Sequence, residues 1–91
     1  EDADRWAGYL GKPVVLDTRS AYIYIGTLAK SDEAWLELEN VDVHDSSEGH
    51  STKEKYVMEA RKFGVKSNRK RVSVRREFIV SLSLLEDVVE Y

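Results

Sequence analysis

The chain has 91 residues, no cysteine and a formal net charge of −3. That length makes a single domain, residues 1–91, with a small core and little room for a deep catalytic cleft. The lack of cysteine rules out disulfides and thiolate metal sites, in keeping with a reducing, cytoplasmic setting. No apolar run approaches the roughly 20 residues of a membrane helix, and the opening at Glu1 rather than Met leaves room for native residues before it.

From the amino end, Asp2 or Asp4 can cap a short helix that turns Trp6, Ala7 and Leu10 to one side, with Gly11 as its stop. Pro13 introduces a first strand, Val14-Val15-Leu16-Asp17, and the polar Thr18-Arg19-Ser20 makes a turn. Tyr22-Ile23-Tyr24-Ile25 begins a second strand with apolar residues on both faces, and Gly26 within it marks a bend or a close backbone approach. Ser31-Asp32-Glu33 turns the chain into a third strand at Trp35-Leu36-Glu37-Leu38-Glu39. Its apolar positions are even up to Leu38 and odd from Val41 onward. Side chains alternate strictly across a strand, so the switch predicts a bulge or break near Asn40.

Residues 44–71 form an excursion before the next strand. His44 to His50 is polar and contains glycine, the composition of a mobile loop. From Ser51 or Thr52, an N-cap candidate, the run Lys53 to Phe63 places Tyr56, Ala60 and Phe63 on one helical face with Val57 beside them, and Gly64 ends it. The competing reading extends strands three and four into a long hairpin. Val72 and Val74 alternate with Ser73 and Arg75 in a fourth strand, and Val80, Leu82 and Leu84 alternate with Ser81 and Ser83 in a fifth. Five short, locally joined strands predict a mainly β, antiparallel barrel.

Charge is segregated along this plan. Residues 53–76 hold ten of the fourteen Lys and Arg against only Glu54 and Glu59, while the rest of the chain is strongly acidic. The run Lys66, Arg69, Lys70, Arg71 and Arg76 suits phosphate neutralisation; a solvated basic loop, or a basic patch meeting the acidic part of a second copy, is the alternative. His44, Asp45, Ser46, Ser47, Glu48 and His50 supply the residue types of a triad or a metal pair, but crowded on one loop without a rigid support. We therefore expect no enzyme, no cofactor and no metal. Glu86, Asp87 and Glu90 read as a solvated acidic rim.

The stretch Gly26-Thr27-Leu28, Asp32 and Leu36/Leu38, together with Val74-Arg75 and the apolar strand after it, resembles the paired motifs of the Sm-like proteins. The likeness covers roughly residues 5–43 and 72–91 and leaves 44–71 as an insertion between strands three and four. It implies a small, strongly bent, five-stranded antiparallel barrel behind an N-terminal helix. It also implies a homo-oligomeric ring, strand four (about 71–77) of one copy pairing with strand five (about 78–83) of the next, and binding of single-stranded RNA.

The family holds uridine with a stacking side chain, an Asn before strand three and the Arg of the second motif. Arg75 matches that Arg. Read without a gap, Ala34 falls at the stacking position and Leu36 at the Asn; with one deletion, Trp35 lies nearest the Asn. The Asn is absent on either alignment, and Arg76 replaces the Gly of the second motif. Trp35 is then either a sequence-tolerant stacking platform beside Arg75 or a core or subunit-interface aromatic. Arg75 either serves that platform or pairs with Glu37, Glu39 or Glu77. Tyr56 and Phe63 either stack on bases or pack the helix. The expectation is an RNA-binding module using Trp35, Arg75, Arg76, Lys66, Arg69, Lys70 and Arg71, with a structural or protein-interaction ring as the alternative.

Overall fold

The computed structural model describes residues 5–47 and 52–90. Five antiparallel strands form one sheet in the order β4-β3-β2-β1-β5: β1 Pro13–Thr18, β2 Tyr22–Ser31, β3 Trp35–Asp45, β4 Arg69–Arg75 and β5 Ile79–Leu84. A helix, α1, spans Lys53–Phe63 between β3 and β4.

The bend lies where the pattern places it. Opposite Gly26, β3 carries one extra residue, because Ile25 pairs with Asp42 while Thr27 pairs with Glu39. Asn40 takes up the irregularity with φ 53°, a left-handed conformation that Asn tolerates better than most residues. A Cβ on Gly26 would lie 3.1 Å from both the Glu39 carbonyl oxygen and Val41 Cγ2, so the missing side chain lets the two strands approach closely there.

The bent sheet encloses Val14, Leu16, Leu28, Leu36, Leu38, Val41, Val74 and Leu84. Because neighbouring residues face opposite ways, Val15, Ile23 and Ile25 emerge on the outer face, where Val57 and Ala60 of α1 cover them. β1 and β2 are therefore buried on both sides, which accounts for their unbroken apolar runs.

The helix has its expected bounds. Thr52 Oγ1 accepts the Lys55 N–H at 3.1 Å, Glu54 lies in the first turn, Arg61 and Lys62 lie in the last, and Gly64 stops it with φ 95°. Ser51, the other cap candidate, lies outside the described residues. Phe63 departs from expectation: it is 70% exposed, standing at the last position of α1 beyond the buried Val57 and Ala60. Lys53 ties the helix to the β1–β2 turn, its Nζ 2.6 Å from Asp17 Oδ1 and 2.9 Å from the Ser20 carbonyl.

Three boundaries move. The expected N-terminal helix is a 3-10 turn, Ala7–Tyr9, that packs Trp6 and Tyr9 against the core and leaves Ala7 and Leu10 exposed; Asp2 and Asp4 lie outside the described residues. β3 runs on to Asp45 and β4 starts at Arg69, so the ends of the 44–71 excursion are strand, as the hairpin reading held, around a helix that it did not allow for. Asn68 finishes this ladder by imitating a strand residue: its side chain accepts the Val43 N–H at 3.0 Å and donates to the Val43 carbonyl at 3.1 Å. Residues Arg76–Phe78 form a 3-10 turn, so β5 begins at Ile79. No helix among the described residues is long and apolar enough to cross a membrane.

Candidate nucleic-acid interface

Trp35 and Arg75 are register partners at one end of the β3–β4 ladder. The Arg75 guanidinium sits 5.4 Å from the centroid of the Trp35 ring, within range of a cation–π contact. Trp35 is 43% exposed, so it is not a core tryptophan in the single chain. Arg75 also pairs with Glu77 at 3.2 Å, one of its anticipated partners, across a solvent-exposed gap where such a pair contributes little. Beside them opens a cavity of about 460 Å³ lined by Tyr24, Phe78, Thr18 and Arg19 together with Trp35 and Arg75. Burial pushes the Tyr24 phenol above its ordinary pKa, with Tyr22 adding to the shift, so it remains a neutral hydroxyl. Three aromatic side chains, Tyr24, Trp35 and Phe78, and two guanidinium groups thus meet at one concave, mostly apolar surface. Such a surface can take a planar ring on its aromatic faces and an anion at its rim.

The turn before Trp35 is built by Asp32. Its Oδ1 accepts the N–H of Trp35 at 2.8 Å and of Ala34 at 2.9 Å, and these two bonds hold the carboxyl below its usual pKa. The Asp32 N–H in turn donates to the Trp35 carbonyl at 3.0 Å.

The remaining basic residues divide by what they touch. Arg71 spans Glu37 at 3.0 Å and Glu39 at 3.3 Å. Arg69 donates to the carbonyl of Asn68. Arg76 is turned inward, over the Trp6 ring at 4.6 Å, with hydrogen bonds to the Ser31 hydroxyl and the Asp32 carbonyl. Lys66 and Lys70 are exposed and form no ion pair among the described residues. The basic segment read as one block is therefore partly neutralised in place, and Arg61 also meets Glu90 at 3.7 Å.

Arg19, Phe78, Tyr24 and Trp6 carry no binding role in the sequence reading. Arg19 and Phe78 are brought together by a backbone bond, the Arg19 N–H to the Phe78 carbonyl at 3.1 Å, across 59 positions of chain, which no local pattern reveals.

The loop candidates behave differently. His44 stacks on Tyr56 with centroids 4.0 Å apart and planes 7° from parallel, and its Nε2 is buried without a partner. Burial, with Asp42 nearby, raises the Tyr56 phenol far above its ordinary range. Asp45 accepts the N–H and hydroxyl of Ser47, which lowers its pKa and makes an ordinary turn. Glu48 and His50 lie outside the described residues. Among the described residues no three His, Cys, Asp or Glu side chains converge as metal ligands.

No family model matches the sequence, and no curated protein matches it. Solved structures do. An Sm protein of Pyrococcus abyssii in complex with a uridine heptamer superposes with a TM-score of 0.63 at 14% identity, over 92% of this chain and 97% of that one. A chain of the NatC complex bound to a Gag peptide and CoA gives 0.57 at 16% identity, over 87% and 89% of the two chains. One of the NatC complex bound to CoA gives 0.58 at 16%, over 87% and 82%. With its five-stranded bent sheet, strand order and short N-terminal turn, the chain has the Sm-like fold.

Proposed function

We propose that this chain is a non-enzymatic, cytoplasmic Sm-like module that associates with further copies of itself and binds single-stranded RNA. Trp35 and Arg75 form its stacking platform, and Lys66, Arg69, Lys70 and Arg71 supply phosphate contacts around it. The observation that carries the reading is the half-exposed Trp35–Arg75 pair at the rim of an aromatic cavity. The uridine-bound Sm neighbour supports it. Arg76 leaves the set of phosphate contacts, since its guanidinium is spent on Trp6 and the Asp32 turn.

Self-association rests on the sheet's two open edges. β5 reads Ile-Val-Ser-Leu-Ser-Leu without a charge, and Val80 on it is 64% exposed, an edge with none of the usual protection against a further strand. β4, the other edge, turns Val74 inward and Arg71, Ser73 and Arg75 outward. Pairing β4 of one copy with β5 of the next sets valines beside inward leucines and arginines beside outward serines.

Titration of a labelled single-stranded RNA at two salt concentrations tests the RNA reading. Binding should weaken as salt rises, and Trp35→Ala should cost about 1–3 kcal/mol of affinity. Salt-insensitive or absent binding would contradict it. The second reading is a protein-interaction subunit. The likeness to chains of the NatC complex favours it, as does the internal pairing of several basic residues; on that reading purified protein carries no nucleic acid.

A further inference from the structure

We infer that Arg76 is a positioning residue which, without touching the ligand, sets the orientation of Trp35 and so the affinity of the platform. This rests on the RNA reading above for its ligand but not for its geometry.

Three separate segments meet at Arg76. Its guanidinium lies over the Trp6 ring at 4.6 Å, gripping the N-terminal turn. One terminal nitrogen donates to the Ser31 hydroxyl and the Asp32 carbonyl, gripping the end of β2. Its backbone N–H donates to the Ala34 carbonyl at 2.8 Å, gripping the residue just before Trp35. Asp32 then passes the restraint on, since its carboxylate holds the N–H groups of Ala34 and Trp35. The indole therefore leaves the backbone from a turn fixed at its carbonyls by Arg76 and at its amides by Asp32. Arg75, the immediate neighbour of Arg76, places its guanidinium over that indole, 5.4 Å from the ring centroid. A side chain pinned at both ends loses less freedom when a ring stacks on it, and preorganisation of this kind raises affinity without a new contact.

Arginine suits the position for a specific reason. A planar guanidinium can lie flat on an indole while its in-plane N–H groups reach the carbonyl and hydroxyl beside it; a lysine ammonium is a point donor with no face to stack. Arg76 stands where the Sm-like motif has Gly, so the restraint belongs to this chain's own sequence.

The test compares Arg76→Ala, Arg76→Lys and Trp6→Leu, with circular dichroism to confirm that each folds. Two readouts are taken: the affinity for a labelled single-stranded RNA across salt, and the Trp35 indole N–H resonance. Positioning predicts that Arg76→Ala lowers affinity about tenfold with an unchanged salt slope, moves the Trp35 resonance, and is not rescued by Arg76→Lys. Trp6→Leu, which leaves the charge in place, should move the same resonance. A direct phosphate contact predicts the opposite, a salt slope smaller by about 1 in Arg76→Ala and full rescue by lysine, and would overturn the inference. So would an Arg76→Ala protein with unaltered affinity and resonance. If the unaltered protein binds no RNA, the proposed function fails, and the resonance alone decides: a shift in both Arg76→Ala and Trp6→Leu upholds the positioning role, and no shift overturns it.

Discussion

Gly26 and Asp32 show how single residues shape the site. Gly26→Ala would place a methyl 3.1 Å from the Glu39 carbonyl oxygen and Val41 Cγ2, tighter than most packed contacts, so its neighbours must give by a few tenths of an ångström where the sheet bends. The expected cost is about 1–3 kcal/mol in chemical denaturation, and an unchanged midpoint would show that the bend has slack. Asp32 makes a pH prediction with a defined sign. Its carboxyl is held below the ordinary value of 3.8 by the N–H groups of Trp35 and Ala34. The charged form is therefore favoured by the folded turn, which is at full strength above that value and weakens as pH falls through the lowered one. The Trp35 indole resonance should stay constant from neutral pH to pH 5 and move only in stronger acid; a transition near neutrality would point to another group. At this scale the sequence is legible where geometry is strict. The parity switch at Asn40 follows from alternation alone, and the structure places the extra residue there. Phe63 is illegible for the converse reason, since helical spacing names a face but not which of its positions the sheet covers.

Among the elements, α1 was readable from its caps, and its role was not. Thr52 and Gly64 announce its ends through backbone chemistry that any helix requires. Only the folded sheet shows that it covers Val15, Ile23 and Ile25 from outside, giving a sheet of this size a second apolar layer. The helix crosses the far end of β3 from Trp35, against Asp42 and His44. Thr52→Ala should therefore cost about 1 kcal/mol of stability, seen as faster amide exchange in Lys53–Phe63, while RNA affinity stays as it was. A loss of affinity would tie α1 to the site. The platform itself was half legible. Trp35 and Arg75 stand out as residue types at strand ends, but their cation–ring contact depends on the β3–β4 register, and the inward turn of Arg76 depends on a tryptophan 70 positions earlier.

For the whole molecule, the outer strands β4 and β5, each without a second partner strand among the described residues, are a stronger statement than any single contact. On the proposed association, β4 of one copy takes β5 of the next as its further strand. Val80→Lys places a charge on an exposed position of β5, where it should leave the fold intact and block a neighbour; the variant should run as a smaller species than the unaltered protein by light scattering. The proposed association and the proposed RNA platform meet in one measurement, size-exclusion chromatography with light scattering and absorbance, run with a short single-stranded RNA at low and high salt. The expected result is a species several chains in mass that carries RNA at low salt and releases it at high salt while staying assembled. A single-chain species that never co-elutes with RNA would contradict it.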